Sequence, residues 1–152
     1  MTPESSPVTD RSGPAPLEPS AHPVVQRIDR RLASRTAVDA LVEPGMRLAA
    51  VAAVLRVTHE PELLFIKRAD APGDPWSGHM AFPGGRHDAV DASLAETAVR
   101  ETREETAIDI VASGRLVGRL DDLAPRSPML PRILIRPYIA VVRADVEVRA
   151  SH

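Results

Sequence analysis

Apolar positions recur along the chain with two different periods, and the changes between them mark out the elements. Val25, Ile28 and Leu32 share one helical face, and Val38, Leu41 and Val42 continue it after a drift. The pattern predicts one helix over residues 24–42, stopped by Pro44-Gly45. Arg27, Arg30, Arg31 and Arg35 line the rest of it and read as a solvated basic face. Residues 47–57 form a long apolar run rich in β-formers, and residues 63–67 form a second. Thr58-His59-Glu60-Pro61-Glu62 between them reads as a hairpin connection, with His59 a turn residue rather than a ligand. Residues 69–77 are a loop around Pro72-Gly73-Asp74-Pro75, with Trp76 as its packing anchor. Residues 79–82 are a short strand leading into Pro83-Gly84-Gly85.

A helix follows the glycines. Asp91 and Ser93 are both N-cap types, and Ser93-Leu94-Ala95-Glu96 fits a capping box, which explains Glu96 structurally. Leu94, Ala95, Ala98 and Val99 form its apolar stripe. Residues 115–120 then read as a strand, and residues 124–132 as a loop with Pro125, Pro128 and Pro131. Residues 133–142 read as another strand, in which Pro137 implies a sheet edge or a bulge. Residues 144–152 add a short extended piece. Strands on both sides of a central helix argue for a mixed α/β sandwich. Residues 1–23 carry Pro3, Pro7, Pro14, Pro16, Pro19 and Pro23 among Ser, Thr and Ala, and read as a disordered tail before one domain over 24–152.

Composition narrows the function. A hydrophobic fraction of 43% supports a core, and 3% aromatics make it an aliphatic one. A net charge of -2 gives no electrostatic reason to expect nucleic-acid binding. The absence of cysteine excludes disulfides and thiolate metal sites. No apolar run reaches the roughly 18 residues that a membrane span needs, and there is no apolar signal core, so a cytoplasmic protein is expected.

The candidate chemistry lies between residues 82 and 108. At 3.6 residues per turn, Glu101 and Glu105 stand about 40° apart around the helix, and Glu104 about 60° to the other side of Glu101. Three carboxylates on one face repel each other, and they sit near a helix C-terminus whose dipole disfavours anions. One reading is a solvated acidic face neutralised by Arg100 and Arg103. The other is a site for a hard divalent cation, which takes oxygen ligands from a few carboxylates, water and substrate phosphates. Gly84-Gly85 lets the backbone turn and approach a ligand beside that helix. Arg86, Lys67 and Arg68 are placed to bring positive charge to phosphates.

This stretch resembles the Nudix hydrolase signature, G-(five)-E-(seven)-R-E-U-x-E-E-x-G-U with U apolar. Arg100-Glu101-Thr102-Arg103-Glu104-Glu105 matches R-E-U-x-E-E, with Thr102 at the apolar place. Gly85 lies one residue farther from Arg100 than the pattern asks. Ala92 stands at the first glutamate, and Ala107 at the late glycine before apolar Ile108. Gly-Gly-x-x-Asp-x-x-Asp, with Asp88 and Asp91 and with Thr97-Ala98 ahead of Arg100, is similar to the branch that includes coenzyme A pyrophosphatases. Of that branch's leader R-x-H-x-G-x-V-x, which falls on Asp74, Trp76, Gly78 and Met80, only the glycine is kept.

The resemblance spans about residues 47–142. It implies an α/β/α sandwich with a mixed β-sheet, and metal-dependent hydrolysis of a nucleoside diphosphate linked to another moiety. It implies that Glu101, Glu104 and Glu105 hold Mg²⁺ or Mn²⁺ with the Gly85 carbonyl, that Arg100 orients the glutamates, and that Glu101 or Glu104 serves as base. It also implies a further strand and a C-terminal helix for which a chain ending at His152 has no room. The expectation is a shortened domain whose uncovered sheet surface favours a homodimer. The alternative is a Nudix-like binding module, inactive through that shortening and through Ala92 and Ala107.

Overall fold

The sheet forms around β1 (Arg47–Val57), an eleven-residue strand whose side chains alternate between two covered faces. In the computed structural model, which describes residues 18–150, the other strands are β2 (Glu62–Leu63), β3 (Ile66–Lys67), β4 (Met80–Ala81), β5 (Gly84–Arg86), β6 (Gly114–Arg119) and β7 (Ile133–Arg143). The helices are α1 (Pro23–Ala33), α2 (Leu94–Thr106) and the single turn α3 (Ile110–Ser113). The main sheet runs β2-β1-β7-β6, and β5 pairs with the other half of the β1 edge that carries β2. β1 and β7 are parallel from Arg47↔Ile133 to Val57↔Arg143, while the remaining pairs are antiparallel. β3 and β4 form a separate two-stranded sheet.

Alternation along β1 and β7 sends side chains to two cores. Ala50, Ala52, Val54, Ala140 and Val142 meet Ala98 of α2, with Ile108 and Ile110 behind it. The small residues of β1 let that helix approach the sheet closely. Val57 and Val141 meet Val25 of α1 on the opposite face. The architecture is therefore the expected α/β/α sandwich with a mixed sheet.

α1 is shorter than its apolar pattern. His22 caps it by accepting from the Val24 N–H, Pro23 supplies the first turn, and Ser34 ends it. Beyond Ser34 the chain is extended because distant acids bind its backbone. Asp121 accepts from the Val38 N–H at 2.8 Å and Asp122 from the Ala40 N–H at 3.1 Å. Asp122 also pairs with Arg136 at 2.7 Å, so the segment is pinned to β7. Val38, Leu41 and Val42 are exposed rather than on a buried helical face. The expected tail over 1–23 falls mostly outside the described residues, but Glu18 to Pro23 are ordered: Pro19–Ala21 is a 3-10 turn with Pro19 buried.

Three strand expectations are corrected. The run 63–67 does not stay one strand: Leu63 pairs with Leu55 in the main sheet, while Ile66 and Lys67 turn away to pair with Ala81 and Met80. Pro137 is not at an edge, because β7 lies between β1 and β6. Its missing N–H falls where β6 has just ended, and its carbonyl accepts from the Leu120 N–H at 2.9 Å. The bulge is in β6 instead, between Leu116 and Gly118. Residues 144–150 form no strand; Arg149 donates its N–H to the Thr106 carbonyl at the end of α2.

Candidate active site

α2 starts where its sequence asks it to. The Ser93 side chain accepts from the Glu96 N–H, and the Glu96 carboxylate accepts from the Ala92 N–H at 2.8 Å. Glu96 is thus occupied as a cap, one residue off the usual box. Thr97, Ala98, Thr102 and Thr106 form the buried stripe. Thr102, at the motif's apolar place, is fully buried and donates its hydroxyl to the Ala98 carbonyl at 2.7 Å, which leaves its methyl for the core. The helix ends at Ala107 with φ 60° and ψ 8°, the left-handed conformation that the motif's glycine adopts without cost.

This register turns Glu101 and Glu105 onto β5. Residues Pro83 and His87 bond to Ala52 and Leu48 of β1, and Gly85 pairs with Ala50 between them. The alternate positions therefore face α2: the Gly84 N–H donates to Glu105 at 2.8 Å, and the Arg86 carbonyl accepts from Arg100 at 3.1 Å. Gly85 lies directly under Glu101, where a Cβ would come within 2.3 Å of its carboxylate carbon. The contribution of Gly85 seen here is therefore space for Glu101, with its backbone engaged beside Ala50.

Arg100 is the hub. Its Nε and Nη2 each donate at 2.9 Å to one oxygen of Asp91, and Nη1 reaches Glu101 at 2.8 Å and Glu104 at 3.2 Å. The paired guanidinium keeps the Asp91 carboxyl far below the usual carboxylate range, and Asp91 in turn holds Arg100 well above its ordinary value. Glu105 behaves oppositely. Burial pushes its carboxyl up, the Gly84 N–H works against that, and the charges of Glu101 and Glu104 add to the rise. The three glutamates are close enough to repel one another, as the helical spacing requires.

Among the described residues, no three His, Asp or Glu side chains are already drawn around one point. Arg100 and the Gly84 N–H hold their oxygens apart. The donor chemistry nonetheless fits a hard divalent cation: three carboxylates, two of them turned to a glycine strand, with a partly buried Glu105 whose ionisation their mutual repulsion opposes.

On the face of the sheet opposite α2, a cleft of about 670 Å³ opens over Ala49, Val51, Ile133 and Ile135. Gly84 and Gly85 form one margin, and Trp76, His79 and Phe82 help to wall it. Arg47, Arg68 and Arg86 line it. Arg68 pairs with Asp74 at 2.7 Å, which lowers the Asp74 pKa, and its own Nε is buried with no hydrogen-bond partner among the described residues. The carboxylate helix meets the cleft through the glycines. Of the three basic residues expected at phosphates, the structure brings Arg68 and Arg86 to the cleft but not Lys67. Lys67 pairs with Met80 in the two-stranded sheet, is exposed, and is not among the residues that line the cleft. Asp91 is the residue whose role the sequence did not convey. It read as a capping type, while its partner lies nine positions on, a spacing that only a loop folding back over the helix makes close.

The NUDIX domain family matches residues 46–149. The chain belongs to the Nudix family. It is 47% identical over 100 residues to a Yersinia pestis protein called an uncharacterized Nudix hydrolase NudL, covering 66% of this chain and 47% of that one. The chain spans about half or less of the length of the curated relatives it matches. Among solved structures, a C. elegans Ap4A hydrolase in a binary complex superposes with a TM-score of 0.58 at 21% identity, covering 70% of this chain and 74% of that one. The NUDIX domain of Shewanella oneidensis NrtR in complex with ADP ribose gives 0.55 at 19% identity, covering 73% and 71%. At that identity these likenesses establish the fold. No helix among the described residues is long and apolar enough to cross a membrane.

Proposed function

We propose that this domain hydrolyses a diphosphate linkage in a nucleoside diphosphate derivative, by attack of water on phosphorus, with Mg²⁺ or Mn²⁺ as cofactor. The observation that carries the reading is the junction of α2 with β5: Glu101 and Glu105 are seated on two glycines that form the margin of an arginine-lined cleft. Glu101, Glu104 and Glu105 would hold the metal, with the Gly85 carbonyl as a further ligand. A bound divalent ion polarises a phosphoryl oxygen and lowers the pKa of its water.

The chain's own groups do the rest. Arg68 and Arg86 hold the diphosphate in the cleft, and the apolar floor excludes bulk water. Arg100 fixes Glu101 and Glu104 by charge-assisted bonds. Glu101 or Glu104 takes the proton from the attacking water. Coenzyme A is one substrate to test, on the resemblance of the Gly-Gly-x-x-Asp-x-x-Asp stretch. ADP-ribose and Ap4A are others, named with the structural neighbours. A second reading, a binding module without turnover, draws on the engagement of the glutamates by Arg100 rather than by one another.

The experiment is release of nucleoside monophosphate, or of 3′,5′-ADP from coenzyme A, with and without Mg²⁺ or Mn²⁺. Activity should need the metal and be lost in Glu104→Gln and Glu105→Gln. Unchanged rates in both variants would overturn the assigned roles, and binding without turnover at high Mn²⁺ would favour the second reading.

A further inference from the structure

The guanidinium of Arg100 has five N–H donors, and the structure gives each of them its own acceptor: both oxygens of Asp91, the Arg86 carbonyl, Glu101 and Glu104. Asp91 takes the Nε edge of the guanidinium side-on, a bidentate pairing that fixes its orientation. Asp91 is itself locked. Its side chain is only 4% exposed, and it accepts from the Thr97 hydroxyl at 2.9 Å and the Asp88 N–H at 3.2 Å. The Thr97 hydroxyl lies 2.9 Å from the His87 ring, so the loop after β5 is closed onto the first turns of α2.

The charges matter as much as the geometry. Asp91 cancels Arg100 on the side away from the glutamates. One nitrogen remains to aim Glu101 and Glu104, and the negative charge of the three glutamates is left for a cation. Without Asp91, the balancing anion for Arg100 would have to be Glu101 or Glu104. Ala92, where the family pattern has glutamate, is exposed and takes no part beyond its backbone bond to Glu96.

We propose that Asp91 is a positioning residue for the metal site: it holds Arg100 fixed and neutralised, so that Arg100 orients Glu101 and Glu104 without competing with the cation for them. This rests on the metal reading above.

The test is direct Mn²⁺ binding, read from the free-ion electron paramagnetic resonance signal, on the full chain and on Asp91→Asn, Arg100→Gln and the double variant. Thermal unfolding is recorded for each. Asp91→Asn should weaken Mn²⁺ roughly 10- to 100-fold while the protein remains folded at the assay temperature. In the Arg100→Gln background, the same substitution should change affinity by less than about threefold, because Asp91 acts through Arg100. That comparison also serves if Asp91→Asn alone does not fold, since the double variant leaves no unpaired buried charge. Unchanged Mn²⁺ affinity with a lower melting temperature would reduce Asp91 to a structural role, and an equal loss in both backgrounds would break its link to Arg100. A wild-type chain that binds no Mn²⁺ would overturn the metal reading itself.

Discussion

The two adjacent glycines of β5 should fail in opposite ways when each is changed to alanine. At Gly85 the three atoms nearest an added Cβ all belong to the Glu101 carboxylate, the carbon at 2.3 Å and both oxygens at 2.5 Å. Ordinary contact needs about 3.5 Å, so the carboxylate must move by roughly 1 Å. It sits at the end of a side chain with three rotatable bonds, so the fold can yield at little cost, within about 1 kcal/mol. A shift of 1 Å in a reacting group costs on the order of 100-fold in rate. At Gly84 the Cβ meets backbone instead, 2.3 Å from the Ala50 carbonyl and 2.6 Å from the Val51 Cα, at φ 157°. Neither can move without parting β5 from β1, so Gly84→Ala should destabilise by about 3 kcal/mol or more. Urea unfolding monitored by circular dichroism, beside metal-dependent kcat/KM on one nucleotide substrate, separates the two. Wild-type kcat/KM in Gly85→Ala, or a stability loss there equal to that of Gly84→Ala, would refute the reasoning.

Three further outcomes follow from the same contacts. Glu105 has its pKa raised in the fold, mainly by burial, so its ionisation opposes folding above that raised value and the opposition fades as pH falls toward 4.5. Metal-free Glu105→Gln should therefore melt higher than wild type at neutral pH, a gap that closes on acidification, and a gap independent of pH would contradict this. Ala107→Gly removes the left-handed strain at the end of α2 and should stabilise by about 1 kcal/mol in denaturant titration; a loss of stability would count against the strain. Arg68→Ala and Arg86→Ala should raise KM for a diphosphate substrate severalfold while Lys67→Ala leaves it unchanged, and an equal effect at Lys67 would place the phosphates elsewhere.

What could be read from the chain was local. β1 matches its apolar run to the residue, and Ser93 caps α2 as its spacing asks. The shared face of Glu101 and Glu105 follows from helical geometry alone. What could not be read depends on residues far apart in sequence. α1 stops early because Asp121 and Asp122, more than eighty positions away, bind the backbone that would have continued it. The apolar run 63–67 divides because two different strands pair with its halves. Pro137 sits inside the sheet because β6 ends beside it, which no property of proline announces.

The parallel pairing of β1 with β7 also sets an order of events. Arg47 cannot meet Ile133, 86 positions further on, until the chain between them has been made and brought round, a closure that costs about 4 kcal/mol of chain entropy. The glycines of β5, the three glutamates, Arg68, Arg86 and Arg100 all lie inside that loop. Until the loop closes, β1 waits with an alanine- and valine-rich edge unpaired, and α2 has only part of the surface it packs on. The domain should therefore fold slowly for its size.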